Sequence, residues 1–147
     1  MTETKILLID SDETFSDMVK KDLSANQISI SAISGGEQAL KCLKLTPEID
    51  VVLIEVQLAA SEDFKILREI QRQSPTIRLV LLADPATLDL AIEGMRLGAY
   101  DYLIKPGESR DLVAKIEEAK NERTQHLEKI LLAGAKVLKQ KWLSDMP

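Results

Sequence analysis

Several acidic residues and one lysine stand directly after short apolar runs, at positions where their side chains could do chemistry. They are Asp10, Asp12 and Glu55, with Lys105 before Pro106. Carboxylates accept hydrogen bonds and bind cations, and an ammonium group neutralises anions. His126 and Cys42 are the only residues of their types, so a zinc site, a histidine-based triad and an internal disulfide all lack partners. We interpret Cys42 as a small buried residue and His126 as a solvated helix position.

Five apolar runs, rich in β-branched residues, alternate with segments of helical periodicity. The runs are KILLI (5–9), ISISAI (28–33), VVLI (51–54), RLVLLA (78–83) and YDYLI (100–104). Between them apolar residues recur at helical spacing, as Leu88, Ala91, Ile92 and Met95 do. Successive βα units predict an α/β fold with a parallel sheet. Since ligands of such folds bind beyond the carboxyl ends of the strands, we expect the residues after each run to meet at one edge.

Local signals predict where some helices begin and end. Asp84 before Pro85 predicts a helix N-terminus. Ser34 with Glu37 predicts a capping box. Gly98 follows a periodic stretch and predicts a helix C-terminus.

Three fragments together resemble the receiver domains of response regulators. LLIDSDE is similar to their first strand, DVVLIEVQL to their third and GAYDYLIKP to their fifth. The resemblance covers roughly residues 5–120. It implies a flavodoxin-like, doubly wound, five-stranded parallel sheet in order 2-1-3-4-5. It also implies a cis peptide bond between Lys105 and Pro106.

The resemblance implies a role for each residue at the strand ends. Glu55 stands at the phosphoacceptor position, which is an aspartate in the family. Asp10 matches the first acidic position, Ser11 the second and Ala83 a hydroxyl position at the end of the fourth strand. Lys105 matches the phosphate-binding lysine and Tyr102 the switch aromatic.

Three of these positions, Ser11, Glu55 and Ala83, depart from the pattern of the family. Glutamate displaces the carboxylate by roughly 1 Å, Ser11 removes an anionic ligand, and Ala83 has no hydroxyl. We therefore expect no phosphorylation, no catalytic residue and no cofactor, with Mg²⁺ binding at Asp10 and Glu55 weak or absent. Asp12 is interpreted as a helix N-cap.

Two interpretations of the retained charges stay open. Glu55 could pair with Lys105 and imitate part of the phosphorylated state with a single negative charge. Alternatively, Asp10, Glu55 and Lys105 form an inherited buried charge cluster without a signalling role. For the first, we expect the Glu55 carboxylate within ion-pair distance of the Lys105 ammonium.

Two further functions compete with a pseudo-receiver that acts through protein–protein interaction. Asp10, Asp12 and Thr14 form a D-x-D-x-T motif that resembles the first motif of haloacid-dehalogenase-type phosphohydrolases, in which the two aspartates are nucleophile and general acid/base. The late acidic motif of that family has no convincing counterpart here. A constitutive adaptor or dimerisation module is the other alternative.

We divide the chain into a receiver domain (1–120) and a C-terminal helical extension (121–147). The extension carries an apolar stripe at helical spacing, formed by Leu127, Leu131, Gly134, Leu138 and Trp142. We expect a homodimer through this helix. The alternatives are a tail that folds back on its own domain and a tail that binds another protein.

Composition limits the partners. A net charge of −5 argues against nucleic acid. No apolar run approaches the about 20 residues of a membrane helix, and MTETK has no signal-peptide core. We expect a cytoplasmic protein whose partner is a signalling protein, either a sensor kinase or an output protein.

Overall fold

A computed structural model describes residues 3–105 and 107–146 of the chain. Strands and helices alternate along it. In chain order they are β1 (Thr4–Ile9), α1 (Glu13–Ser24), β2 (Ile28–Ile33), α2 (Gly36–Leu45), β3 (Val51–Glu55), α3 (Val56–Gln73), β4 (Arg78–Ala83), α4 (Leu88–Arg96), β5 (Asp101–Ile104) and α5 (Ser109–Ser144). A short 3₁₀ turn, Pro85–Thr87, leads into α4.

All strand pairs are parallel, in the order β2-β1-β3-β4-β5, which confirms the predicted fold. The strands β1, β3 and β4 are buried on both faces because their apolar runs are continuous. Alternate residues of the sheet enter two cores. One core packs against α2, α3 and α4, and the other against α1 and α5.

Most of the predicted helix ends are confirmed, and one is wrong. The Asp84 side chain caps the turn before α4 by accepting from the backbone N–H of Thr87 at 2.9 Å. Gly98 follows α4 with a φ of 111°. The capping box of Ser34 and Glu37 is wrong, because Gly35 is the N-cap of α2 and makes no side-chain cap hydrogen bond. Ser34 stands one residue before the N-cap, so its hydroxyl is not at the position that caps the first turn.

Helix α3 is interrupted where the sequence predicts no break. Glu62, Asp63 and Phe64 have φ values of 53°, 55° and 58°, in the left-handed region that side chains disfavour. Phe64 is nevertheless buried, and Leu67 and Ile70 continue its face. The interruption therefore turns the second part of α3 so that its apolar face lies on the sheet.

Helix α5 extends far beyond the domain on which its first part packs. Its buried residues, Ile116 and Ala119, lie in its first third, whereas every residue from Glu128 to Met146 is exposed. Among the described residues, no helix is long and apolar enough to cross a membrane.

Candidate functional site at the carboxyl edge of the sheet

The sheet register brings the predicted site residues together. Ile9 pairs with Ile54, so Asp10 and Glu55, the residues that follow them, are level on adjacent strands. Across the sheet, the backbone N–H of Lys105 donates to the carbonyl of Ala83 at 2.7 Å. The expected meeting of strand ends at one edge is confirmed.

The ammonium group of Lys105 binds Asp10. Its Nζ lies 2.8 Å from Oδ2 of Asp10, whose side chain is completely buried, while Lys105 is 20% exposed. The backbone N–H of Asp12 donates to the other oxygen, Oδ1, at 2.9 Å. Lys105 Nζ also lies 4.2 Å from the ring centroid of Phe15, within the range of a cation–π contact. Both Asp10 oxygens are therefore engaged.

Burial raises the pKa of the Asp10 carboxyl above its usual value. Removal from water disfavours the charged form, and the nearby negative charge of Glu55 acts in the same direction. The hydrogen bonds from Lys105 and Asp12 and the charge of Lys105 lower the pKa but do not cancel the effect of burial. The contacts with Lys105 and Asp12 thus offset part of the cost of burying the Asp10 carboxylate.

The Glu55 carboxylate binds Ser11, and the expected ion pair with Lys105 is wrong. Its Oε2 accepts from the Ser11 backbone N–H at 3.0 Å and from the Ser11 hydroxyl at 2.8 Å. Within residues 3–105 and 107–146, the ion pair of Lys105 is made with Asp10. The physical reason is that Ser11 offers two donors within reach of the longer glutamate side chain, whereas an acidic residue there would repel it.

The Asp12 carboxylate caps α1. Its Oδ1 accepts from the backbone N–H of Phe15 at 3.1 Å, which confirms the predicted N-cap. The general acid/base role that a phosphohydrolase would give to Asp12 competes with this hydrogen bond.

Of the remaining predicted positions, Ala83 ends β4, and Tyr102 lies in β5 beside Leu81, two residues before that edge. Ala83 is buried, and its methyl group supplies no hydrogen-bond donor. Tyr102 is half-buried and packs against the core beside α4. Pro106, with the expected cis peptide, lies outside the described residues.

The Mg²⁺ ion that the resemblance implies does not fit this arrangement. Asp10 is occupied by Lys105 and the Asp12 N–H, and Ser11 contributes a neutral hydroxyl. Throughout the described part of the chain, no cluster of three or more His, Cys, Asp or Glu side chains could hold a metal. Mg²⁺ prefers near-octahedral oxygen ligation with several waters and one or two carboxylates, which these engaged side chains do not offer.

Two contacts of the domain could not be predicted from the sequence. The apolar pattern of α1 predicts Phe15 as a core residue, and this pattern does not indicate its contact with Lys105. Asp50 and Arg123 form an ion pair at 3.1 Å, with side chains only 12% and 15% exposed. No local pattern links two residues that are 73 positions apart.

Comparison with known proteins identifies the family. The response regulator receiver domain model matches residues 6–117. The transcriptional regulatory protein CpxR of Klebsiella pneumoniae is 34% identical over 112 residues, which cover 76% of this chain and 47% of that protein. The probable transcriptional regulator ycf27 of Cyanidium caldarium is 32% identical over 114 residues, covering 76% and 44%. The chain thus spans about half the length of these relatives.

A solved structure agrees with these relatives. The receiver domain protein of Clostridium thermocellum superposes with a TM-score of 0.75 at 30% identity, over 83% of this chain and 98% of that one. Together with the five parallel strands and the acidic and lysine residues at their ends, these matches show that the chain belongs to the response regulator receiver domain family of two-component signalling.

Proposed function

We propose that this receiver signals through protein–protein interaction without being phosphorylated. The observation that carries the proposal is the pairing at the strand ends: Lys105 holds Asp10, and Ser11 holds Glu55. Every charge that a phosphoryl group would need to recruit is already satisfied within the domain.

A phosphoryl group on Glu55 would disturb both pairs. Its negative charge needs a cation, and Lys105 could supply one only by leaving Asp10 buried and unpaired, which is costly. At Ala83 no hydroxyl is present to bind a phosphoryl oxygen. The same pairs argue against Glu55 as an imitation of the phosphorylated state, because its carboxylate contacts Ser11 rather than Lys105.

The chemistry is tested with a small phosphodonor, such as acetyl phosphate with Mg²⁺, and intact-protein mass spectrometry. The chain should gain no phosphoryl group. Glu55→Asp alone should not restore full reactivity, because Ser11 and Ala83 remain. The variant Ser11→Asp/Glu55→Asp/Ala83→Thr should react measurably, and it serves as the matched positive control. Stable incorporation of one phosphoryl group into the unaltered chain would contradict the proposal.

The partner surface that we propose is the exposed part of α5, and a second copy of the chain is its occupant. Ile130, Leu131, Val137, Leu138 and Trp142 are between 48% and 72% exposed. Exposed apolar surface of this extent marks interaction sites, and a two-fold dimer is the commonest closed assembly. A sensor kinase or an output protein would then bind the receiver domain itself.

Sedimentation tests the dimer. The full chain should sediment as a dimer at micromolar concentration, and a chain ending at Leu127 should be a monomer. This truncation removes the exposed stretch but keeps Arg123 and its ion pair with Asp50. A full-length monomer would contradict the dimer while leaving the phosphorylation proposal intact.

A further inference from the structure

Charge is distributed unevenly along α5. Its last part, residues 129–144, contains four lysines and no acidic residue. The chain as a whole has a net charge of −5, so the rest of it carries −9. Glu128 directly precedes the lysine-rich part and Asp145, the C-cap of α5, directly follows it, and both are exposed.

The exposed part of α5 also has small residues at its centre and large apolar residues on either side of them. Ala133, Gly134 and Ala135 separate Leu131, 72% exposed, from Leu138, 69% exposed. A Cβ atom added at Gly134 would meet nothing within 4 Å, so the packing of its own chain does not require a glycine there. Gly134 lowers the helix propensity of this exposed segment, whereas the small side chains at all three positions permit close approach of a second helix.

Orientation decides how the charges of two such helices meet. In a parallel pair, the lysine-rich parts lie side by side and both acidic domains stand at the same end. In an antiparallel pair that crosses at Gly134, Lys141 of each copy lies level with Leu127 of the other, next to Glu128, whereas Lys139 lies level with Lys129. The two domains are then at opposite ends, so the acidic domains are separated and the lysine-rich end of each helix lies towards the acidic domain of the other copy.

We infer that two copies pair through α5 in antiparallel orientation, crossing at Ala133–Ala135. This inference rests on the proposed homodimer and specifies its geometry. A two-fold axis through the small residues sets Leu131 of each copy near the level of Leu138 of the other. Every contact then occurs twice, as an isologous interface requires.

An anionic lipid surface is the competing occupant, since a basic amphipathic helix with a tryptophan also fits a membrane interface. Two observations favour the second copy. The rest of the chain, with its charge of −9, would be repelled by such a surface. In addition, Leu132 and Leu143, 63% and 52% exposed, lie among the lysines of the opposite face rather than within the apolar stripe.

Spin-label distances test the orientation in the full chain. Gln125→Cys and Leu132→Cys, each made with Cys42→Ser, place single labels two helical turns apart on one exposed face without changing the charge. In the antiparallel pair crossing at Gly134, the two Gln125 labels are separated by about 27 Å along the helix axis and the two Leu132 labels by about 6 Å. A parallel pair gives equal distances at both positions.

Each outcome decides a separate point. A longer distance at Gln125 than at Leu132 supports the antiparallel pair. A dimer with equal distances overturns the orientation but leaves the homodimer standing, whereas a monomer in sedimentation overturns both. If vesicles of phosphatidylglycerol and phosphatidylcholine abolish the Leu132 distance, the apolar stripe binds lipid and the inference fails. Added sodium chloride should weaken the antiparallel dimer and would strengthen a parallel one.

Discussion

At the scale of single residues, Lys105 pairs with Asp10 and not with Glu55, and the burial of the two carboxylates explains this choice. Asp10 is completely buried, and among residues 3–105 and 107–146 its ion pair is made with Lys105, whereas Glu55 is partly exposed and accepts two hydrogen bonds from Ser11. Without Lys105, the Asp10 carboxylate would be buried and unpaired. This costs more free energy than leaving the partly exposed Glu55 without a cation. The pairing follows from this difference.

Lys105→Met should destabilise the fold in a pH-dependent manner. Because the folded-state pKa of Asp10 is raised, the protonated carboxyl favours the fold in acid, and that stability is lost as the pH rises through the folded-state pKa. Without Lys105 this pKa rises further. The variant should lose about 3 kcal/mol at neutral pH and much less at about pH 4.

Urea unfolding at the two pH values measures this effect. Lys65→Met is the matched control, because the ion pair of Lys65 with Glu62 is 63% and 73% exposed and such pairs contribute little. An equal loss for Lys105→Met at both pH values would show that packing of the side chain, rather than the charge of Asp10, is responsible.

At the scale of elements, a largely buried ion pair adds to the apolar packing that holds α5 on the sheet. Asp50 precedes β3 and accepts from Arg123 at 3.1 Å and from the backbone N–H of Lys5 at 3.2 Å. The pair lies at the amino edge of the sheet, opposite the functional site, and just before α5 leaves the domain. It therefore fixes α5 at a second point, beyond the buried residues Ile116 and Ala119.

Arg123→Ala should destabilise the domain by about 3 kcal/mol, because it leaves the Asp50 carboxylate buried without a cation. Urea unfolding measures the loss. Arg110→Ala, which removes an ion pair that is 83% and 65% exposed, should change the stability by less than about 0.5 kcal/mol. Similar effects of the two substitutions would contradict the role of Arg123 as an anchor.

The interruption of α3 leads to a stabilising substitution. Glu62 has a φ of 53°, which costs a side-chain-bearing residue about 1 kcal/mol and costs glycine little. Glu62→Gly should therefore stabilise the domain by about 1 kcal/mol, measured as a higher urea midpoint. Glu117→Gly, at an exposed position within regular α5, should destabilise it by about 1 kcal/mol. Destabilisation by both would refute the strain at Glu62.

At the scale of the whole molecule, folding and association should be linked. If a second copy covers the exposed stripe of α5, the folded state gains stability as the protein concentration rises. The Tm of the full chain should increase with concentration in calorimetry, and that of a chain ending at Leu127 should not. A Tm of the full chain that is independent of concentration would speak against the dimer.

The sequence alone determines the layers of the fold and the edge at which the site lies. Apolar runs such as Val51–Ile54 are continuous, so they must be buried on both faces, and this requires helices on either side of a parallel sheet. Parallel strands bring their carboxyl ends to one edge, which is why Asp10, Glu55 and Lys105 could be predicted to meet. The Asp12 cap was predictable as well, because capping depends on residues within one turn.

Only the tertiary structure decides how the gathered groups pair. The choice of Lys105 for Asp10 depends on how deeply each carboxylate is buried, and burial is a property of the whole packed domain. Asp50 and Arg123 meet because α5 crosses the amino edge of the sheet, which no local spacing encodes. Glu62, Asp63 and Phe64 have left-handed backbone angles although none of them is glycine, so the sequence does not indicate this conformation. The packing of Phe64 imposes it.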